Sequence, residues 1–425
     1  MTIGSKASYL RRAGFMIGIV LILASALWFI QRWRADRAAK SLADGQQFLK
    51  ERRSELAEQA FADYLTFAPD DANAILLWAE AIVDGKQHPA KDAALMACEA
   101  LQRIPDSSPF GAEARMREGR LTLFVLLQPE NAERLLMKSR QLDADSMDVH
   151  FLLWKLYDLT ERFPYAEEHF WNTYELSPES MKTQRLVEWY LSQFSTNSSN
   201  AAIDRLLGFL PAEMQTSDAV VNARLDGFVL AAPDSALALT AKAAFLLQMR
   251  DRDAAGKLLD NAEQKSGALS DEFFLATKIG YLLDLGKIKE AEALFAQWKA
   301  GTQSHLYFRT VARIRQLCQR DDRGAVEAFD KALEIWPGPV DWSGMHLKAQ
   351  SLAKLGDRSG AEQVRARAKE IELLMEPDVH KTFWDAIRSI ETPENMQRFE
   401  DFYRKLGREK EAAAWRNRRE QLTGR

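Results

Sequence analysis

The sequence predicts an all-α fold of stacked antiparallel helix pairs, preceded by one apolar N-terminal helix. Three observations carry this expectation. Residues 38–71 hold Gly45, Phe48, Ala57, Phe61 and Pro69 at the spacing two close-packed helices need. A related spacing of small and aromatic residues recurs to the C-terminus. The composition, 47% hydrophobic and 28% charged with abundant Ala, Leu, Glu, Arg and Lys, is that of a folded helical chain.

In the first unit Gly45 and Ala57 are small where two helix backbones approach, and Phe48 and Phe61 fill the space around them. Pro69, which has no N–H to donate, is expected to end the second helix. A single hairpin of this kind cannot bury its own apolar face and needs stacked neighbours.

Ahead of that unit lie a short basic tail (1–12) and the apolar run 13–30, whose 18 residues carry no charge. As a helix the run spans about 27 Å, enough for the hydrocarbon core of a bilayer. Trp28 and Trp33 sit where interfacial aromatics belong, and Arg32, Arg34 and Arg37 follow in the headgroup zone. The expectation is a single-pass membrane anchor with a cytoplasmic tail and an extracytoplasmic, periplasmic repeat domain. The competing reading is a signal peptide cut after Ala24-Ser25-Ala26, which has the A-x-A form, leaving a secreted adaptor. Residues 31–37 continue as a juxtamembrane helical exit.

From 38 to 210 the spacing predicts an N-terminal block of five units. The second unit carries Ala79, Ile82, Ala93, Ala97, Ala100 and Pro105. The third, looser, has Gly119, Thr122, Ala132, Leu136 and Ser139. The fourth is in register with Leu153, Tyr157, Ala166, Phe170 and Pro178, and the fifth is degenerate, with Gln184, Val187, Leu191, Ala202, Leu206 and a polar loop at 195–200. An irregular joint follows at 211–235, containing an apolar segment that reads as one unpaired helix or a decayed repeat.

A second block, 236–373, resumes the pattern. Its four units carry Ala243, Leu246, Ala255, Leu259 and Ala262; then Leu275, Leu282, Gly286, Ala291, Phe295 and Trp298; then Ala325, Phe329, Ala332 and Pro337; then Ala349, Leu352, Leu355, Gly356 and Ala361. The remainder, 374–425, gives an extra helix and a final pair hinged at Gly407. The last helix is polar over most of its surface, as a terminal cap facing water requires.

These residues resemble the tetratricopeptide-repeat family: small at position 8, aromatic at 11, Ala at 20, aromatic at 24 and Pro at 32 of a roughly 34-residue period. The resemblance covers residues 38–425 and implies a right-handed α-α superhelix whose first helices line a concave groove for peptides or protein segments. In that family positions 5 and 9 of the first helix face the groove. Here these are Leu42 and Gln46, Leu76 and Glu80, Met116 and Arg120, Phe151 and Lys155, and Arg185 and Trp189. The family's clamp for a chain-terminal carboxylate uses Lys and Asn in the first unit, and Leu42 and Gln46 depart from it. Arg120, Phe151, Lys155, Arg185 and Trp189 form instead a candidate aromatic–cationic partner-binding patch, since arginines and aromatics dominate binding hot spots. The alternative is that Phe151 and Trp189 are core residues between repeats.

Much chemistry is missing from the sequence. No phosphate-binding loop, dinucleotide fingerprint, zincin or nucleophile-elbow motif occurs. The six histidines are scattered; His150 and His169 fall in one unit and can approach. Two cysteines, Cys98 and Cys318, read as buried structural thiols, and no CxxC site exists. A net charge of -4 gives no footprint for nucleic acid. The basic residues of the last helices, Arg404, Lys405, Arg408, Lys410, Arg416, Arg418 and Arg419, alternate with Glu and read as a salt-bridged cap rather than an anion-binding face.

No cofactor, metal or catalytic residue is expected. The function the sequence supports is that of a non-enzymatic, membrane-anchored scaffold that binds protein or peptide partners in its groove. Bacterial proteins of this plan commonly assist translocation or envelope assembly, which is an analogy of class. The alternatives are the secreted adaptor and an accessory subunit of an enzyme complex.

Overall fold

The computed structural model of the chain describes the backbone of residues 4–194, 218–299, 301–336 and 341–424. Within these ranges the side chains of 4–24, 26–27, 218–219, 377–378 and 381 fall outside the description. All described regular structure is helical. The α-helices are α1 Gly4–Lys50, α2 Ser54–Leu65, α3 Ala72–Asp84, α4 Ala90–Gln102, α5 Gly111–Phe124, α6 Pro129–Leu142, α7 Met147–Leu159, α8 Phe163–Leu176, α9 Glu179–Phe194, α10 Asp218–Ala231, α11 Ala236–Gln248, α12 Arg252–Glu263, α13 Glu272–Asp284, α14 Ile288–Phe295, α15 His305–Ile314, α16 Asp322–Ile335, α17 Trp342–Lys354, α18 Arg358–Leu374, α19 Pro377–Arg388, α20 Pro393–Leu406 and α21 Glu409–Thr423. They form two compact units, Met1–Leu126 and Leu127–Arg425.

The first unit contains the α1–α2 and α3–α4 hairpins and α5. Gly45 on α1 has the close approach expected of it: a Cβ there would stand 2.9 Å from the ring of Phe61. Ala57 and Phe61 are fully buried, with Phe48 packed on them. The second hairpin buries Ala79, Ile82, Ala93, Ala97 and Ala100 in one core. Pro69 does not itself end α2, which stops at Leu65 and caps on Thr66. The next turn, Phe67–Ala68, already bonds back to Tyr64, so the proline only fixes the exit. α1 is continuous from Gly4 into the first hairpin. The apolar run 13–30 falls mostly among side chains outside the description. Among the described residues no helix is long and apolar enough to cross a membrane.

The second unit begins inside the third expected repeat, so α5 and α6 belong to different units. It holds the α7–α8, α11–α12, α13–α14, α15–α16, α17–α18 and α20–α21 hairpins. Ala202, Leu206, the loop 195–200 and much of the joint 211–235 lie outside the described residues, but α10 is the helix expected in that joint, and it packs on α11. The hairpins turn tightly: Arg250, Gly286, Arg320, Gly356 and Gly407 all take positive φ between paired helices. Aspartates cap the helices that follow or begin a pair, as Asp251, Asp271 and Asp321 each accept from a backbone N–H three residues on. Ala243, Ala255, Leu259, Leu275, Leu282 and Ala291 fill one continuous core. Leu355, one of the residues that mark the fourth unit, lies at the α17 C-cap and is exposed.

The C-terminal helices do not simply end the stack. α21 packs against α9 as well as α20. Glu411, Ala412 and Trp415 are buried, while Glu409, Lys410, Asn417 and Gln421 are exposed. Of the two thiols, Cys98 is buried and Cys318 only half-buried, and both are free.

Candidate functional site

The expected aromatic–cationic patch divides. Arg120 is exposed on α5 in the first unit. Phe151, Lys155, Arg185 and Trp189 come together in the second unit, where α7 and α9 flank α8. Phe151 is half-buried, and the Arg185 guanidinium stacks 4.6 Å from its ring centroid. Lys155 Nζ stands 3.8 Å from the centroid of Trp154. Arg185 Nη1 donates to Glu188 Oε2 at 2.7 Å.

Burial corrects the open-groove expectation for three of these residues. Lys155, Arg185 and Trp189 are only 3%, 6% and 1% exposed. Trp189 stacks on Phe170 at 4.5 Å and meets Trp154 edge-on at 6.0 Å. Its Nε1 donates to Glu411 Oε1 at 3.3 Å, across 222 positions of sequence. Beside it Arg408 bridges Glu411 and Glu167, the latter at 2.7 Å. Burial opposes the charge on Arg408, but Glu411 and then Glu167 outweigh it and raise its pKa. For Trp189 the physical reason is this closure, since α21 packs on α9 and brings Glu411 to the indole; Lys155 and Arg185 instead pack on the rings of Trp154 and Phe151.

The same burial shifts the groups around α7. Desolvation lowers the Lys155 pKa, against the pull of Asp158 and Glu188. Burial pushes the Asp158 carboxyl up to about 7, with Lys155 acting the other way. His150 and His169 do approach, Nδ1 to Nδ1 at 2.8 Å, and His150 Nε2 reaches the carbonyl of Ala144. Burial, then His150, bring His169 down to about 3. Among the described residues no group of three or more His, Cys, Asp or Glu is placed to hold a metal ion.

A second arrangement was not singled out in the sequence. The first helices α11, α13 and α15 pack in succession, each on the next. Between α13 and α15 lies a cleft of about 180 Å³. Phe273, Leu283 and Leu306 give it apolar walls, and Thr277, Gly280, Arg309 and Arg313 its polar features. Thr277, Gly280, Leu306, Arg309 and Arg313 keep partial exposure, so solvent reaches it. Both threonine hydroxyls donate to carbonyls on their own helices, Thr277 to Phe273 and Thr310 to Leu306. The sequence signal was there: 273, 277 and 280, and 309 and 313, each share one helix face. It was masked because these are also ordinary helix-packing positions.

No protein-family model matches the sequence, and no curated protein matches it. Among solved structures the chain is similar to the crystal structure of the APC/C hetero-tetramer Cut9-Hcn1. That match is 11% identical, covers 91% of this chain and 94% of the other, and has a TM-score of 0.35. A likeness at this level carries nothing about function.

Proposed function

We propose that the chain is a tetratricopeptide-type scaffold that binds an extended polypeptide along α11, α13 and α15. The observation that carries this reading is the cleft between α13 and α15, formed by first helices of successive pairs and lined by apolar walls with a few polar groups, the usual character of a recognition site. The face expected from α7 and α9 is a poorer candidate, because Lys155, Arg185 and Trp189 are buried there. Of the expected patch, only Phe151 and Arg120 keep exposure for a partner.

We place the scaffold at a membrane through residues 13–30, with the repeats on the extracytoplasmic side and a role in envelope protein assembly or translocation. Supporting this, Trp28, Phe29 and Trp33 leave more than half of their surface exposed at the end of the apolar run, as interfacial side chains would. α1 then leads without a break into the first hairpin, which would hold the repeats close to the bilayer.

The test is photocrosslinking in native membranes, with a photoreactive residue at Thr277 in the cleft or at Lys289, exposed on α14. Polypeptide adducts from position 277 and none from 289 are expected. Adducts from 289 alone would move the interface to the second helices. Extraction by alkaline carbonate, or a mature chain beginning at Leu27, would contradict the anchor and favour the secreted adaptor.

A further inference from the structure

The cleft between α13 and α15 holds hydrogen-bond donors that the protein does not use. Arg313 reaches from α15 across α13. Its Nη2 donates to Asp284 at 2.5 Å. Its Nη1 lies over Gly280, where a Cβ would come within 3.1 Å of it. Its Nε is buried without a hydrogen-bond partner. One helical turn earlier, Arg309 gives Nε to both oxygens of Asp341, at 3.0 and 3.2 Å, and Nη2 to Ser343 at 2.9 Å. Its Nη1 has no partner among the described residues.

Asp284 and Asp341 therefore pair with the two arginines, and Nη1 of each guanidinium is left without a partner among the described residues. These groups sit in a partly enclosed cleft, where a hydrogen bond to an incoming acceptor is stronger than on an open surface. The two threonine hydroxyls are already committed as donors and offer the cleft only oxygen lone pairs. The free donors are thus arginine N–H groups alone, set above the apolar walls of Phe273, Leu283 and Leu306. An acceptor on a short apolar stem matches that arrangement. A carboxylate meets guanidinium geometry better than a neutral amide does.

Resting on the scaffold reading above, we propose that this cleft is an acidic-residue subsite: it takes the side-chain carboxylate of an Asp or Glu of the bound polypeptide. Arg313 receives the carboxylate at Nη1, and Arg309 lies beside it. Gly280 acts as a positioning residue, because its missing side chain lets Arg313 lie flat across α13. Burial depresses the Arg313 pKa despite Asp284, and a second carboxylate would add to the pull of Asp284 against that desolvation.

The experiment is fluorescence anisotropy with the full chain in detergent and three end-blocked labelled peptides: acetyl-Ala-Leu-Glu-Leu-Ala-amide and its Gln and Lys counterparts. The Glu peptide is expected to bind at least about ten-fold more tightly than the Gln peptide, and the Lys peptide more weakly still. Arg313→Gln and Gly280→Ala are expected to remove the Glu-over-Gln preference with helicity and melting unchanged. Arg313→Lys keeps the charge but loses the planar fork, and it should retain only part of the preference. Equal binding of the Glu and Gln peptides, or no binding of the Glu peptide at millimolar concentration, overturns the acidic subsite. In each case crosslinking from Thr277 still decides the scaffold reading by itself.

Discussion

Trp189 and Glu411, which lie 222 positions apart, meet in the core of the second unit, with the indole N–H of one on the carboxylate of the other. Around that contact Arg408 joins Glu411 to Glu167, and Trp336 Nε1 donates to the same Glu167 at 2.7 Å. Helices from three distant parts of the unit are thus tied at one buried polar node. Farther along α21, Arg418 reaches Glu179 and Thr183 at the start of α9.

Removing one partner from this node leaves a buried charge uncompensated. Glu411→Ala is expected to destabilise the second unit by about 3–5 kcal/mol. The double change Arg408→Met with Glu411→Leu should cost less than Glu411→Ala alone, because no charge is then stranded at those two positions. Urea titration followed by circular dichroism and by Trp fluorescence measures both. A cost for Glu411→Ala below about 1 kcal/mol would show the node to be incidental.

The close approach in the first hairpin gives a second expectation. Gly45→Ala brings a methyl group into the Phe61 ring and should destabilise the first unit by about 1–3 kcal/mol. Phe61→Leu frees that space at its own cavity cost. The two together should lose less than the sum of the single losses. Strict additivity would mean that the two side chains do not compete for one volume.

Acid should act on the second unit through His169. Its pKa falls from the ordinary 6.5 to about 3 in the fold, so between those values the unfolded chain binds more protons. The stabilisation is present above pH 6.5 and is lost as pH falls toward 3, by up to about 1.4 kcal/mol per unit. His150 and Arg140 face the same ring and oppose its protonation. His169→Phe should flatten the stability profile between pH 6 and 4, measured by urea midpoints. An unchanged slope would place the acid sensitivity elsewhere.

Asp158 should act with the opposite sign. Its carboxyl, raised to about 7, favours the protonated form in the fold. That contribution is complete below the ordinary carboxylate range and is lost as pH rises through 7. Asp158→Asn is therefore expected to gain stability relative to the parent at pH 8 and to gain little at pH 4. Equal effects at both values would contradict it.

Local pairing was legible in the sequence because each hairpin is specified within about 34 residues. Gly45, Ala57 and Phe61, or Ala325, Phe329 and Ala332, declare their contacts by spacing alone, and the structure buries them all. What spacing cannot carry is a contact between helices far apart in the chain. Nothing near Trp189 announces Glu411, and nothing near Glu167 announces Trp336 or Arg408. Lys155 and Arg185 read as groove residues because their helix positions are groove positions in an open stack, and their burial against the rings of Trp154 and Phe151 reverses that. The α13–α15 cleft escaped for the converse reason: Thr277, Gly280 and Arg313 are unremarkable singly and line one cleft only where α13 and α15 pack together.

The central claim, that the first helices grip a polypeptide, is tested most directly by hydrogen–deuterium exchange. The chain would be measured alone and with the partner captured from position 277. The account predicts added protection in α13 and α15, with α12 and α14 unchanged. Protection confined to α12, α14 and α16, or to α20 and α21, would contradict it.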